Sequence, residues 1–416
     1  MKSHWPTKKL GEICEKIKAG GTPSRKISKY WGGEIPFVKI EDLTSAKLYL
    51  ENTQEKITQE GLENSNAWII PPNSVLFSIY ASIGEVAINK FPVTTNQAIL
   101  GLIPKSEIVV PNFLAYSLKK FGKYLISYNI QSTQKNLTLE VVKNFKIPLP
   151  PLSIQQKIVK ILDTIQEAID IHDKIIEKTK ELKKSLMAEL FKYGAPSFRK
   201  ERKLKKTEIG EIPEDWKVVR LGEVVNEMIN GFPTGERDEN GILQLRMDSI
   251  TSDGKINLEA GVKVPRRIGI ENYFLRKGDI LFNNTNSIDL VGKTALFRGE
   301  FKECVFSNHL TRIRVDLNKT LPEWIFYILL RNWELKLFKN LATRRVGQAD
   351  INRNVLKNLK VPLPPLPEQQ EIAEILQTID QKIDLERRKK ELYEELFKTM
   401  LNKIMNQEID VENIEV

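Results

Sequence analysis

Two stretches of the chain, each roughly 40 residues long, set apolar side chains on alternating three- and four-residue steps. The first runs from about Ile154 to Phe191 through Ile158, Ile161, Ile165, Ala168, Ile175, Leu182 and Leu186, with Leu162, Ile169, Ile176 and Leu190 widening the stripe. The second runs from about Glu368 to Ile404 through Ile372, Ile375, Leu376, Ile379, Ile383, Leu392, Tyr393, Leu396, Phe397, Met400 and Ile404. Such steps define a coiled-coil seam. Polar residues interrupt both middles, at His172 and Thr179 in one and at Glu386 to Lys390 in the other. Each helix would be about 60 Å long at 1.5 Å per residue. Neither can leave its stripe in water, and the simplest partner for each is the other. The expected contacts are Ile158, Ile161, Ile165, Leu182 and Leu186 against Ile372, Ile375, Ile379, Leu396 and Met400. The competing reading makes them core helices of two separate α/β domains.

Both helices are introduced in the same way. Lys146-Ile147-Pro148-Leu149-Pro150-Pro151-Leu152, closed by Gln155-Gln156, returns 214 residues later as Lys360-Val361-Pro362-Leu363-Pro364-Pro365-Leu366 with Gln369-Gln370. Proline fixes φ, lacks an N–H and disfavours helix in the residue before it, so each run should be extended with the helix starting just after it. A second pair of matching segments, Trp5 to Glu12 and Trp216 to Glu223, is offset by 211 residues. The chain therefore carries two copies of one plan. A compact second copy with its ends close together would start the second helix where the first stops. That makes the helices antiparallel and places a globular domain at each end of a two-helix spacer.

The domains expected are residues 1–150, a first helix and linker at 151–206, a second domain at 207–361, and a C-terminal helix and tail at 362–416. In the first domain the strand-like Ile35-Pro36-Phe37-Val38-Lys39-Ile40 follows a turn-rich loop, Gly20-Gly21-Thr22-Pro23-Ser24-Arg25. Strands at Ser74 to Tyr80 and Glu85 to Ile88 precede a helix near Asn112 to Lys120 and a polar stretch, Gln131 to Asn136. The second domain repeats this with Lys277 to Phe282, Val291 to Phe297, a helix at Pro322 to Leu330 and the polar loop Arg344-Arg345-Val346-Gly347-Gln348. Strands and helices mix without βαβ alternation, which reads as α+β. Scaffold positions match while loop residues differ, as expected of two modules that read different things.

Net charge is +10 and the isoelectric point about 9.2, which favours a polyanionic partner, nucleic acid first and a membrane surface second. No apolar run approaches the ~20 residues of a membrane span. Met1 to Trp5 leads into folded-looking sequence without a signal-peptide core, so a cytoplasmic protein is expected. Cys14 and Cys304 are far apart and outside any Cys/His cluster, so no disulfide framework or metal site is expected.

Catalytic motifs are missing: there is no HExxH, no GxSxG, no GxxxxGK[ST], no Gly-rich dinucleotide loop and no Asn-Pro-Pro-Tyr or Asp-Pro-Pro-Tyr. The histidines are His4, His172 and His309, and His309 reads as a hydrogen-bonded core or groove residue. The chain is expected to bind rather than to catalyse.

Taken in order, several segments resemble the specificity subunits of Type I restriction-modification enzymes. They are Gly20 to Ser24 with Tyr30-Trp31 and Ile35 to Val38; Ile209 to Trp216 with Leu221-Gly222-Glu223; Gly278 to Phe282 with Val291-Gly292-Lys293; and the two proline-to-helix repeats. Ser185 to Leu190 is similar to a helix-end repeat that sets spacer length in some members, and it occurs here once. The resemblance implies two pseudo-symmetric target-recognition domains separated by a long antiparallel two-helix coiled coil. It implies a non-catalytic subunit that binds a bipartite site in double-stranded DNA, one half per domain, and directs two methyltransferase subunits and the restriction/translocase subunits to it. S-adenosylmethionine and ATP would then belong to those partners, with no cofactor on this chain.

Lys and Arg are expected mainly on phosphates, and Asn, Gln and Arg in loops at base edges. The candidates are Arg25, Lys39, Ser78, Tyr80, Gln134 and Lys135 in the first domain, and Arg246, Asn283, Asn284, Asn286, Arg344, Arg345 and Gln348 in the second. Gln134 and Gln348 could equally staple their loops. The competing function is a bivalent protein-binding scaffold with incidental charge; a self-sufficient DNA enzyme with diverged motifs is a third reading. Docking of an SH3-like partner on the proline runs is disfavoured, since both copies abut a helix in the same way.

Overall fold

The computed structural model describes residues 5–80, 82–130, 137–200 and 202–414. The chain forms two compact units, Met1–Lys174 with Glu386–Val416, and Ile175–Leu385. Sequence periodicity set the helices apart as segments of their own. In the structure each helix instead gives one half to each unit, because its apolar face continues the core of the domain beside it.

In the first unit a five-stranded sheet has the order Cys14–Ala19, Ile99–Pro104, Val75–Ser78, Val86–Asn89, Tyr49–Leu50, antiparallel except for its last pair. A second sheet has the order Glu55–Ile57, Trp31–Val38, Thr94–Thr95. Helix Pro111–Ile130 is longer than the sequence suggested. A short antiparallel ribbon, Thr7–Lys9 with Lys146–Pro148, brings the chain back to the start of the first long helix, Leu152–Tyr193. Ile158 and Leu162 of that helix share one core with Phe77, Leu100, Phe113 and Ile147, and with Leu401, Ile404 and Met405 of the second long helix, Leu366–Met405.

The second unit repeats this frame. Its four-stranded sheet has the order Val225–Asn230, Leu310–Val315, Ile280–Asn283, Thr294–Leu296, and its three-stranded sheet the order Val262–Val264, Ile242–Leu245, Cys304–Phe306. The ribbon is Lys217–Arg220 with Lys360–Leu363, and the helix Pro322–Glu334. The core joins Met187 and Leu190 to Trp216, Phe282, Trp324, Ile372 and Leu376.

The same side chain locks both proline runs to their domains. Gln155 is fully buried; its Oε1 accepts from Val110 N at 2.9 Å, and its Nε2 donates to Ile108 O at 3.0 Å and Pro150 O at 2.9 Å. Gln369 does the same, accepting from Leu321 N at 2.9 Å and donating to Lys319 O at 3.2 Å and Pro364 O at 2.9 Å. Each amide thus ties the last turn of extended chain to the loop that starts the domain helix. Buried backbone groups left open by proline find their partners there.

The long helices run antiparallel in each unit. In the first, Lys157 Nζ donates to Glu412 O at 2.8 Å, while His172 lies 2.6 Å from Glu386 and Asp173 2.8 Å from Lys390. In the second, Ala195 N donates to Glu368 at 3.1 Å and Lys183 pairs with Asp380 at 2.6 Å. The seam differs from the expected one. Ile158, Ile165 and Ile372 are buried and Ile161, Leu186, Ile375, Ile379 and Met400 partly so, but Leu182 and Leu396 are 58% and 43% exposed. The buried row on the first helix is Ile158, Leu162, Ile165, Ile169, Ile176, Lys183, Met187, Leu190. Lys183 occupies a seam position because its stem packs while its head meets Asp380 and lies 5.4 Å from the centroid of the Tyr327 ring. A hydrophobic template slides past such a lysine onto its neighbour Leu182.

Candidate nucleic-acid interface

Four loops of the second domain are pinned together by two asparagines. Asn283 is fully buried, and its Nδ2 donates to Met247 O at 3.0 Å. Asn284 donates from its backbone to His309 O at 3.0 Å and from Nδ2 to Asn308 O at 3.2 Å and Thr311 Oγ1 at 2.9 Å, while its carbonyl accepts from Ile351 N at 2.9 Å. The segments at 246–249, 283–287, 307–309 and 343–351 therefore meet at one hub. This corrects the expectation for Asn283 and Asn284 as base readers: both side chains are buried, the Asn284 amide spent inside the protein and the Asn283 amide bonded through Nδ2. What they do is hold in place the loops that can read.

The exposed side chains on those loops form a small basic and amide-bearing sheet. Thr343–Arg345 and Gln348–Asp350 form a hairpin, and Thr285–Asn286 adds a third strand. Arg344 faces Ala349, which in turn faces Asn286, and Arg345 faces Gln348. Asn286 thus becomes a neighbour of three candidates some sixty residues further along the chain. Gly347, with φ of +75°, makes the two-residue turn, a backbone conformation that a Cβ would strain. Val346 at the tip is fully exposed, and Arg345 Nε sits 2.7 Å from Asp350. Arg246 is half-buried at the end of its strand, its backbone N–H capped by Ser249 Oγ at 3.0 Å.

In the first domain Arg25 and Lys39 are gathered by a residue that sequence reasoning passed over. Glu55 lies 2.7 Å from Arg25 and 3.0 Å from Lys39, and the Arg25 guanidinium stacks 3.6 Å from the centroid of Trp31. Burial pushes the Glu55 carboxyl up, but hydrogen bonds from Arg25 and Lys39 outweigh it and hold the group below its ordinary value. The same pairing raises Lys39. Strand pairing between 31–38 and 55–57 was the signal that could have found Glu55, and no sequence motif carries it. Lys39 and Arg246 hold equivalent places, each at the end of a strand and capped by the residue three positions on.

Ser78 is another correction. Its hydroxyl is buried, donates to Ser82 O and accepts from Glu85 N at 2.9 Å, closing the turn between two core strands. Tyr80 is exposed beside that turn. Gln134 and Lys135 lie outside the described residues.

The loops after the first strand of each large sheet also match. Gly20 N donates to Ile99 O at 3.1 Å and Gly231 N to Leu310 O at 3.2 Å. A Cβ would meet a carbonyl oxygen at 2.1 Å at Gly20 and at 2.0 Å at Gly231. Thr22 then donates to Gln97 Oε1 at 2.7 Å, and Thr234 likewise donates to Gln244 Oε1. Beyond these anchors the sequences part, Ser24-Arg25-Lys26 in one and Gly235-Glu236-Arg237 in the other.

Among the described residues no group of three or more His, Cys, Asp or Glu side chains is arranged to hold a metal ion, and no helix is long and apolar enough to cross a membrane. Both cysteines are buried, and burial pushes each thiol up to about 12. One frame used twice, with polar and basic loops that differ, defines a protein with two related binding faces.

Comparison with known proteins gives that class its family. The family model described as the Type I restriction modification DNA specificity domain matches residues 2–181 and 213–395, once per copy of the repeat. The specificity subunit of the Type I restriction enzyme MjaVIII of Methanocaldococcus jannaschii is 30% identical over 99% of this chain and 94% of its own. Two solved structures share the fold. One is the Type I restriction-modification S subunit from M. genitalium, at 14% identity and a TM-score of 0.56, covering 96% of this chain and 95% of that one. The other is a chain from a study of assembly and conformational transition in the Type I system, at 20% identity and a TM-score of 0.57, covering 97% of each chain. The chain belongs to the family of Type I restriction-modification DNA specificity subunits.

Proposed function

We propose that this subunit reads a two-part duplex target, one half per domain, and that its helix pair fixes the gap between the halves. The observation that carries this reading is the repeat itself: the frame holding Lys39 and Gly20 in one domain holds Arg246 and Gly231 in the other, while the surrounding loops differ. Two copies of one reader with different contents suit a target with two different halves. Arg25, Lys39 and Tyr80 serve the first half, and Arg246, Asn286, Arg344, Arg345 and Gln348 the second. Arg reaches guanine or phosphate and the amides reach adenine. A protein scaffold would need neither the basic hairpin nor the family's DNA specificity domain.

Methyl transfer and cleavage fall to separate methyltransferase and restriction subunits, two of the former docking one on each half of the repeat. S-adenosylmethionine and ATP would sit on those partners, in the cytoplasm. Purification with the methyltransferase partner, followed by mapping of methylated positions across a genome, tests the proposal. The expected result is a split motif; one uninterrupted block of bases would overturn it. Retention on duplex DNA should fall steeply with salt, as phosphate neutralisation requires.

A further inference from the structure

The hairpin tip Arg344-Arg345-Val346-Gly347 has a counterpart in the same domain that no motif and no internal repeat pointed to. Arg266-Arg267-Ile268-Gly269 follows strand Val262–Val264 and Pro265. Both tips carry two arginines, then a β-branched residue at 105% exposure, then a left-handed glycine, φ +82° at Gly269 and +75° at Gly347. An isolated exposed aliphatic side chain is ordinary. Two fully solvated ones in the same four-residue context, each raised on a glycine turn behind paired guanidiniums, are a built feature.

The two tips belong to one connected rim. Arg267 stacks 4.1 Å from the centroid of the Phe232 ring. The Phe232 carbonyl accepts from Asn308 N at 3.1 Å and Gln244 Nε2 at 3.0 Å. Asn308 and His309 are held by Asn284, whose carbonyl accepts from Ile351 at the base of the hairpin. The path from one tip to the other thus runs through the loop hub and through hydrogen bonds that fix it. In the first domain the corresponding position after strand Glu55–Ile57 is the helix Gln59–Glu63, with Glu60 and Glu63 in place of paired arginines. The feature is private to the second domain.

We infer that Arg266-Arg267-Ile268-Gly269 is a second duplex-DNA contact of the second domain, its arginines on phosphates and Ile268 against a sugar or base edge. The inference rests on the DNA-reading function proposed above. Arg266 now pairs with Glu303, an exposed partner that a phosphate can replace. Arg267 is pre-oriented by Phe232, which lowers the ordering cost of binding.

The test uses the full chain in complex with its methyltransferase subunits and a fluorescent duplex carrying the mapped motif. Replacing both arginines, Arg266→Ala with Arg267→Ala, should weaken binding about tenfold and flatten the plot of log affinity against log salt by about two. Ile268→Asp alters a fully exposed side chain and leaves packing intact, so it should also weaken binding about tenfold through repulsion from phosphate. If the wild-type complex shows no salt-dependent binding, the DNA-reading function itself fails. If the wild type binds and Ile268→Asp binds equally well, this second contact is refuted while the wider reading stands, even if the double variant is weakened by collapse of its loop.

Discussion

His172 and Glu386 hold the same place in the two copies of the repeat, 214 residues apart, and they touch, with Nδ1 2.6 Å from Oε2. Glu386 is almost completely buried and also lies 3.1 Å from Lys389, while the imidazole stacks on Tyr393 at 5.4 Å. The polar interruption that made the seam look wet is therefore a pairing that sets register. Any slip by one turn would strand a buried carboxylate. Such use of a polar seam residue to fix register is the best attested role for one.

Replacing His172 by Ala should destabilise the first unit by about 1.5–3 kcal/mol, the range for a hydrogen bond to a charged group. Chemical denaturation would measure it. Glu386→Gln, which keeps shape and an acceptor, should cost less. Equal losses for the two would argue that the charged bond, and not the packing of the imidazole, carries the effect.

Gln155 and Gln369 make the same clamp, so they should cost alike. Each change to Ala leaves several buried backbone groups without partners, at about 1–3 kcal/mol per group. Hydrogen exchange should then rise at Val110 in the first variant and at Leu321 in the second, the amides that donate to the two glutamines.

Asn284→Ala and Arg345→Ala should separate hub from reader. Loss of the hub lets four loops move, so Asn284→Ala lowers thermal stability together with binding at the second half-site. Arg345→Ala leaves the melting temperature unchanged and weakens only that half-site, by about 1–3 kcal/mol if its contact is bidentate to a base. A uniform loss on all sequences would mark it as a phosphate contact.

The Asp173 carboxyl is pushed up by burial but held, on balance, below its ordinary value by hydrogen bonds from Lys390 and Lys47. A depressed folded value contributes stability above the unfolded value and loses it as pH falls through the folded one. Asp173→Asn should therefore be less stable than wild type near neutrality and equal to it in strong acid. The difference should be at most about 1 kcal/mol, since the side chain is only partly covered.

A one-turn helical insertion in the spacer, about four residues and ~5.4 Å, should widen the gap in the methylated motif by one or two base pairs and leave both half-site sequences unchanged. Genome-wide methylation mapping reads both at once. A change in the bases recognised would defeat the ruler.

Much of this was legible in the sequence because periodicity, proline and duplication are local signals. The helices begin at Leu152 and Leu366, two residues ahead of the starts near Ile154 and Glu368 that the proline runs implied. The candidate surface was legible only in part, since a loop residue looks the same whether its amide points outward or inward. Arg345 and Gln348 point out, whereas Asn283 and Asn284 turn in to groups that arrive from distant segments and Ser78 closes its own turn. Glu55, which unites Arg25 with Lys39, became visible only through strand pairing.

By itself the sequence determined that there are two copies of an α+β domain, where each long helix begins, and that their apolar stripes need a partner, because repeats and 3–4 steps are written in residue order. The tertiary structure alone decided which stripe positions are covered, with Lys183 in and Leu182 out. It likewise decided which polar loop residues remain free for a ligand, because burial and hydrogen-bond partners come from chain segments that no local pattern connects.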